Sequence, residues 1–257
     1  MSIVLANAAF GDDPQHWPLP PASTPYELWL RAVVAGGQGR YGSAMSDLDA
    51  VCGLHRGGPL VSLAHSTRAS FLRQLGWHDR ARRWDGRAIV LAGSDPEAGA
   101  DALIGLAADA LGVGRFAASA TALRRAAELV TGSRLPVRLA WVSAELAMAR
   151  GDGATAVRQA ERAADLAGTL GSARHAVKSQ MVLAAALCSA GDINRSRTVA
   201  DAALDAAGRL GMIPLRWALA CLLADIGSAA HPAADVLRIR NECAATVRRR
   251  GGALADH

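Results

Sequence analysis

Lysine is almost missing from this chain, because Lys178 is the only lysine among the 28 basic residues and all the others are arginine. The net charge of +5 and the isoelectric point near 9.6 would ordinarily suggest nucleic acid as a partner. An excess of Arg over Lys, in a chain also rich in Ala and Gly, indicates a bias toward GC-rich codons at least as much as selection for phosphate contacts. The charge alone therefore predicts no nucleic-acid partner.

Cysteines and long apolar runs are also scarce. The four cysteines form no CxxC pair, which argues against a zinc site and a disulfide framework and favours buried thiols in a reducing compartment; they are Cys52, Cys188, Cys221 and Cys243. Apolar runs such as residues 181–187 are too short to span a membrane, and residues 1–10 do not have the pattern of a signal peptide. We expect a cytoplasmic protein with no membrane partner.

The common catalytic signatures are absent as well. The chain contains no GxxxxGK[ST], HExxH or GxSxG motif and no paired Glu-x-x-His of a helical di-iron site. His65 falls on an expected buried helix face, which favours a core histidine over a catalytic base. We therefore expect no enzyme activity, no cofactor and no bound metal.

What the chain does contain is a phased set of six glycines. They are spaced 37, 38, 37, 40 and 36 residues apart, and an alanine stands seven positions before each of them; the glycines are Gly39, Gly76, Gly114, Gly151, Gly191 and Gly227. A small residue follows each of the first five glycines by five positions, and a Val or Ala comes seven positions later still. A period of this size is typical of repeated helical hairpins.

Packing explains why these positions repeat. In a helix-turn-helix unit, the alanine lies mid-way along the first helix and the small residue lies one turn into the second, so the two backbones can approach closely. The glycine between them can end the first helix in a left-handed conformation without steric cost. Proline at positions 96, 136 and 214 falls between the repeats, where it can open a helix. The pattern predicts six helical hairpins and no strands, with a late second helix in the last unit because Pro232 replaces its small residue.

These residues resemble the tetratricopeptide repeat (TPR) family, whose unit has small residues at its positions 8, 20 and 27 and a turn glycine at 15. The resemblance covers roughly residues 25 to 250 and implies an all-α, right-handed solenoid. Segments such as 39–41 and 114–116 match the turn between the paired helices. The repeats depart from the family pattern at position 4, where aromatics are missing. Long linkers over 167–171 and 207–211 are more similar to TPR-like sensor regions of large bacterial transcriptional activators.

Three segments are expected from this comparison. Residues 1–24 should be extended or disordered, residues 25–250 should form the repeat domain, and residues 251–257 should be a flexible tail. The prolines of 14–21 exclude a helix there. A sharper hypothesis is that Trp17 docks near Tyr26 and Trp29 and covers part of the binding groove until a partner displaces it.

The resemblance also implies a binding groove on the concave face, formed by the first helix of each repeat. Carried onto this sequence, the groove positions give a mixed surface with two Trp anchors and scattered charge, suited to a peptide or an extended protein segment. Either Trp can instead pack against the neighbouring repeat. The predicted groove residues are Tyr26, Trp29, Ser66, Ser70, Arg73, Gln74, Asp101, Ile104, Arg138, Trp141, Glu145, Met148, Lys178 and Met181.

Two functions remain open at this stage. The first is a non-catalytic adaptor that binds protein or peptide through the concave face. The alternative is a sensor or regulatory domain that binds a small ligand or controls a transcriptional partner. Arginine clusters at 80–87 and 248–250 leave nucleic acid as a less favoured partner, because no aromatic residues interleave with the second cluster. The sequence does not predict the oligomeric state.

Overall fold

The computed structural model describes residues 2–132 and 134–255, and within them every regular element is an α-helix. Thirteen helices follow one another in this part of the chain. They are α1 (Ile3–Phe10), α2 (Pro25–Gly37), α3 (Tyr41–Leu54), α4 (Pro59–Gln74), α5 (His78–Leu91), α6 (Pro96–Gly112), α7 (Phe116–Leu129), α8 (Arg134–Ala149), α9 (Gly153–Leu170), α10 (Ala173–Ser189), α11 (Ile193–Arg209), α12 (Ile213–Ile226) and α13 (Ala233–Arg249).

The phased glycines lie between paired helices, as predicted. All six have φ between 73° and 91°, in the region that favours glycine. In the first five turns, the residue after the glycine donates its N–H to the carbonyl oxygen five positions earlier, at 2.8 to 3.0 Å; Arg40 to Ala35 is one example. This is the hydrogen bond of a Schellman motif, so the same local chemistry ends five first helices.

The last hairpin is irregular, also as predicted. After Gly227 the chain continues without helix to Pro232, and α13 begins at Ala233. The carboxylate of Asp201 stabilises this connection, because its Oδ2 accepts the N–H groups of Ala229 at 2.8 Å and Ala230 at 3.1 Å. A carboxylate thus replaces the backbone contacts that a short turn would have made.

The small residues of the repeat are buried between helices. The alanines seven positions before the glycines have no exposed surface; they are Ala32, Ala69, Ala107, Ala144, Ala184 and Ala220. The small residues of the second helices, such as Ala44 and Ser119, are equally inaccessible. The repeated small residues therefore lie where two helix backbones come closest, which is the packing that the sequence pattern predicted.

The first helices of the six hairpins form a row that closes on itself. Neighbours in this row are in contact from α2 through α4, α6, α8 and α10 to α12, and α12 also contacts α2. The last hairpin completes the closure, because Gly42 donates its N–H to the Arg250 carbonyl at 2.9 Å and Arg250 donates to the Gln38 carbonyl at 2.7 Å. The end of α13 is therefore hydrogen-bonded to the first hairpin.

The expectation of an extended or disordered segment over residues 1–24 is wrong for residues 3–10, which form α1. Ser2 caps this helix by accepting the N–H of Leu5 at 3.3 Å, and Leu5, Ala8 and Ala9 are buried in the apolar cluster of the first hairpin. The prolines of 14–21 exclude helix only in their own stretch, which has no regular structure here. Apolar burial decides the conformation of the residues before them.

Part of the predicted C-terminal tail makes hydrogen bonds to the repeat domain. Ala255 donates its N–H to the Leu75 carbonyl at 2.8 Å, and the indole N–H of Trp77 donates to the Ala253 carbonyl at 2.7 Å. Residues 253–255 are therefore held against the turn between α4 and α5. Asp256 and His257, the rest of the predicted tail, lie outside the described residues.

The predicted long linkers are also wrong, because most of each belongs to a helix. α9 continues to Leu170 and α11 to Arg209, and Gly171 and Gly211 then end them with φ of 69° and 64°. Gly168 and Gly208 are accommodated inside these helices. Long second helices, rather than loops, account for the extra residues of these repeats.

Only part of the cysteine prediction is met. All four thiols are free, but Cys243 alone is buried, while Cys52, Cys188 and Cys221 are half-buried.

No helix of the described residues has the length and apolar character that a membrane span requires.

Candidate functional site

A cavity of about 440 Å³ lies inside the row of first helices. Its walls come from α2, α4, α6, α8, α10 and α12, together with Phe10 at the end of α1. Ten of the fourteen predicted groove residues line it: Trp29, Ser70, Arg73, Gln74, Ile104, Arg138, Trp141, Glu145, Lys178 and Met181. The structure thus brings residues from five separate helices to one partly open cavity.

Four predicted groove residues lie elsewhere. Tyr26 lines a smaller, separate pocket of about 250 Å³. Ser66 and Asp101 are buried, and Asp101 is engaged in ion pairs behind the cavity wall. Met148 packs against the apolar cluster around Ala144. The α4, α6 and α8 helices therefore present only part of the predicted face to the cavity.

The two Trp anchors are held in the same way in their respective repeats. The indole N–H of Trp29 donates to Thr67 Oγ1 at 2.9 Å, and that of Trp141 donates to Ser179 Oγ at 2.8 Å. Each pair is 38 residues apart and joins one first helix to the next. The sequence left open whether each Trp packs against the neighbouring repeat or lines the binding surface. Each indole does both, since it packs against the neighbouring repeat and also lines the cavity.

Sequence reasoning missed several residues of the cavity wall. Arg134 and Arg174 lie four positions, one helical turn, before the predicted groove residues Arg138 and Lys178. Because α8 and α10 begin a turn earlier than the family register implies, the same helix face continues to these arginines. Extending the groove positions by one turn would have found them. Phe10 lies outside the repeats, so no repeat position could have indicated it.

Arg134, Arg138 and Asp101 form a buried cluster at the cavity wall. Asp101 Oδ1 lies 2.9 Å from Arg138 Nη2, and its Oδ2 lies 3.4 Å from Arg134 Nη1. Arg134 also pairs with Glu97 at 3.0 Å, near the surface. Burial raises the pKa of Asp101, but the two guanidinium groups outweigh it and the pKa is lowered overall. One buried carboxylate therefore serves two arginines.

Arg174 has no carboxylate partner among the described residues. Its Nη1 donates to the Val33 carbonyl oxygen at 2.9 Å, and its guanidinium packs over Gly37. Burial, followed by repulsion from Arg138, lowers the pKa of Arg174 to about 10, so the group stays cationic at neutral pH. Arg174 therefore presents to the cavity a positive charge that no carboxylate of the described residues neutralises.

His175 is the neutral member of this wall. Its ring stacks on Trp141 with centroids 5.4 Å apart, and its Nδ1 lies 2.9 Å from Ser172 Oγ. Burial, and then the positive charges of Arg174, Arg134 and Arg138, lower the pKa of His175 to about 3. At neutral pH the ring therefore behaves as an uncharged aromatic surface.

A second buried ion-pair network, on α4, α5 and α6, lies next to the first. Arg73 Nη1 contacts both Asp85 and Asp109, the latter at 2.8 Å. Burial raises the pKa of Asp85 and of Asp109, and their mutual repulsion adds to this for Asp85. Both carboxyl groups therefore have Arg73 as their cationic partner.

Phe10 separates the cavity from the smaller pocket. Four residues line both spaces, namely Phe10, Trp29, Arg134 and His175. The Phe10 ring lies 5.6 Å from Trp29 and 6.2 Å from His175, centroid to centroid. The end of α1 therefore covers one side of the cavity.

The hypothesis that Trp17 docks near Tyr26 and Trp29 is wrong, since Phe10 occupies the place beside Trp29. Gln38 Nε2 donates to the Pro14 and His16 carbonyls at 2.9 and 3.0 Å, which holds the segment at the other end of α2. Trp17 is 48% exposed there, with its ring centroid 3.5 Å from Arg40 Cζ. The segment does dock on the first hairpin, but through a different aromatic residue.

The arginine clusters outside the cavity are partly engaged within the protein. Arg80 lies over the Trp77 ring at 4.0 Å, and Arg87 over the Trp84 ring at 5.3 Å. Trp84 in turn stacks on His65, which is buried as expected. Arg250 is turned toward α2, as described above. Arg82 and Arg83 of the first cluster, and Arg248 and Arg249 of the second, are exposed.

Comparison with known proteins does not assign the chain to a family. No protein-family model matches the sequence, and no curated protein is significantly similar to it.

Proposed function

We propose that this protein is a TPR-like right-handed solenoid of six hairpins that binds a small molecule in its central cavity, as a sensor or regulatory domain. The observation that carries this proposal is the closure of the first helices, α12 against α2, with α1 over one side. An open-ended concave groove accepts an extended chain, whereas a cavity bounded by six helices, although partly open to solvent, favours a compact ligand. A cytoplasmic location stays a prediction of the sequence.

Size and lining support a small ligand. Cavities that hold cofactors and drug-sized molecules are commonly 300 to 1,000 Å³, mostly apolar and fitted with a few polar groups. The cavity here, about 440 Å³, has apolar walls from Trp29, Ile104 and Met212 and a few cationic groups between them. Its polar groups are held by ion pairs and hydrogen bonds, so the site is largely preformed.

A peptide-binding adaptor is the second candidate. The N-terminal segment supports it, because its backbone already occupies the concave side, where Gly11 accepts the N–H of Ala173 at 3.0 Å. A partner peptide could take this place once the segment is displaced. In that case α1, rather than the central cavity, would mark the binding surface.

Native mass spectrometry separates the two candidates. The protein is incubated with a small-molecule extract of cells and, separately, with a peptide library, and bound masses are recorded. The matched variants are Ala108→Phe, which fills the cavity, and Ala118→Phe, which adds the same ring at an exposed site on α7. A bound small molecule that Ala108→Phe loses and Ala118→Phe retains supports the sensor. Peptide binding that Ala108→Phe leaves intact, with no small molecule bound, overturns it in favour of the adaptor.

A further inference from the structure

We infer that the cavity binds a small organic monoanion, with a carboxylate placed between Arg174 and Arg138 and an aromatic or aliphatic body against the two indoles. This inference rests on the proposed function, since it names the ligand class of the same cavity. It is carried by the charge and hydrogen-bonding state of the arginines that line the wall.

The cations of the cavity wall do not all have a carboxylate partner among the described residues. Lys178 is neutralised by Glu145 at 3.3 Å, and Arg73 by the Asp85–Asp109 pair. Arg134 and Arg138 share Asp101, and Arg134 also pairs with Glu97, which is half-exposed. One positive charge, that of Arg174, is left without a carboxylate in the described residues. A ligand with a single negative charge would supply the carboxylate partner that Arg174 lacks.

Unused donors lie beside this charge. The Nε of Arg138 is buried and has no hydrogen-bond partner among the described residues, and Arg174 makes one hydrogen bond, to a backbone carbonyl. Buried guanidinium donors are ordinarily satisfied, so Arg138, which lines the cavity, has hydrogen-bonding capacity that the described residues do not use. The planar fork of a guanidinium matches the two oxygens of a carboxylate. The depressed pKa of Arg174 agrees with a cation that lacks its counter-charge.

The rest of the wall determines the body of the ligand. Trp29 and Trp141 are fixed by their indole hydrogen bonds, and His175 presents a neutral ring stacked on Trp141. Ile104 and Met212 supply aliphatic surface. A flat apolar group of one or two rings finds contact here, while a heavily hydroxylated or multiply charged molecule would leave its polar groups unpaired.

The test compares two probes that differ in charge alone, 2-naphthoate and 2-naphthamide. Isothermal titration calorimetry at pH 7.5, with Trp fluorescence as a second signal, is expected to give naphthoate an affinity about tenfold or more above naphthamide. Arg174→Gln should abolish this preference. Arg209→Gln, at an exposed arginine in the last turn of α11, should retain it. The Arg174→Gln substitution breaks no ion pair. The variant should therefore melt at or above the temperature of the parent.

The outcomes distinguish this inference from the function on which it rests. Equal binding of both probes, or a charge preference that survives in Arg174→Gln, overturns the anion inference but leaves the small-molecule cavity standing. Absence of naphthoate binding also overturns it. The mass-spectrometric experiment decides the proposed function independently, since it uses no defined anion. Binding that Ala108→Phe does not affect would place the naphthoate outside the cavity and would count against the inference as well.

Discussion

Arg174 in α10 donates a hydrogen bond of 2.9 Å to the backbone carbonyl of Val33 in α2, a residue 141 positions earlier in the chain. Both residues line the central cavity. The contact joins the first and fifth hairpins directly, so the cavity wall is assembled by parts of the chain that are far apart in sequence. A wall of this kind exists only when the complete row of helices has folded.

Gly105 and Gly86 should respond in opposite ways to alanine. A Cβ at Gly105 would overlap the Asp85 carboxylate, which Arg73 and Asp109 hold in place, so Gly105→Ala should cost about 1 to 3 kcal/mol of unfolding free energy. Gly86, inside α5, has open space at that position, and Gly86→Ala should stabilise by about 0.5 to 1 kcal/mol through helix propensity. Urea unfolding of both variants measures the two values. The same sign for both would contradict the packing described for Asp85.

The repeat alanines should not accept a larger side chain. Ala107 and Ala144 have no exposed surface, so Ala107→Leu and Ala144→Leu should each overpack a helix contact and cost about 1 to 3 kcal/mol. Thermal or urea unfolding tests this. Ala118→Leu, at an exposed site of α7, is the control and should stay within about 0.5 kcal/mol of the parent. If the two buried variants unfold like the control, the helices do not pack closely at these alanines.

His175 should make the protein sensitive to mild acid. Its pKa is near 3 when folded and 6.5 when exposed, so the unfolded chain binds the proton more readily and stability falls as pH drops from about 6.5 toward 3. The slope from this residue is about 1.4 kcal/mol per pH unit. Its surroundings carry Arg174, Arg134 and Arg138, with Asp101 the nearest opposing charge.

The measurement is the unfolding free energy of the parent and of His175→Gln at pH 7.5 and 5. Gln can keep a hydrogen bond to Ser172 but takes up no proton, so the variant should lose less stability on acidification. His55→Gln, at an exposed position after α3, should follow the parent. An identical pH dependence for His175→Gln would mean that this ring is not held neutral by its burial.

Phe10 should control access to the cavity. Phe10→Ala removes a half-buried ring packed on Trp29 and should cost about 2 kcal/mol, below the loss for a fully buried Phe. It should also join the cavity to the smaller pocket, so that 2-naphthoate enters and leaves faster in stopped-flow fluorescence. Trp17→Ala is the matched control, because its ring is half-exposed and far from this partition.

Deletion of residues 1–22 extends the same prediction. The deletion should lower the melting temperature, because it removes the buried Leu5, Ala8 and Ala9 along with Phe10. Melting and probe kinetics that match the full chain would show that α1 neither stabilises the first hairpin nor covers the cavity.

The sequence predicted the hairpins well because their signals are local. Each hairpin needs a glycine that adopts positive φ and an alanine that fits between two backbones. These residues recur at fixed spacing in the sequence, as at Gly114 and Ala107. The groove positions followed from the same register, and ten of them meet at the cavity.

Closure of the row could not be predicted in this way. Whether α12 reaches α2 depends on small rotations added over six hairpins, and no single residue determines their sum. Helix α1 and Phe10 lie outside the repeat, so periodicity does not describe them. Arg134 and Arg174 were missed because the family register begins one turn too late, although their spacing from Arg138 and Lys178 could have indicated them.

The hydrogen bonds between α13 and the first hairpin have a consequence for how the protein comes apart. A linear stack of hairpins frays from its ends, because each terminal unit has a neighbour on one side only. Here the hydrogen bonds of Gly42 and Arg250 make the first and last hairpins neighbours of each other. The number of hairpins is then fixed by circumference, and insertion or loss of a whole unit would leave two unmatched ends.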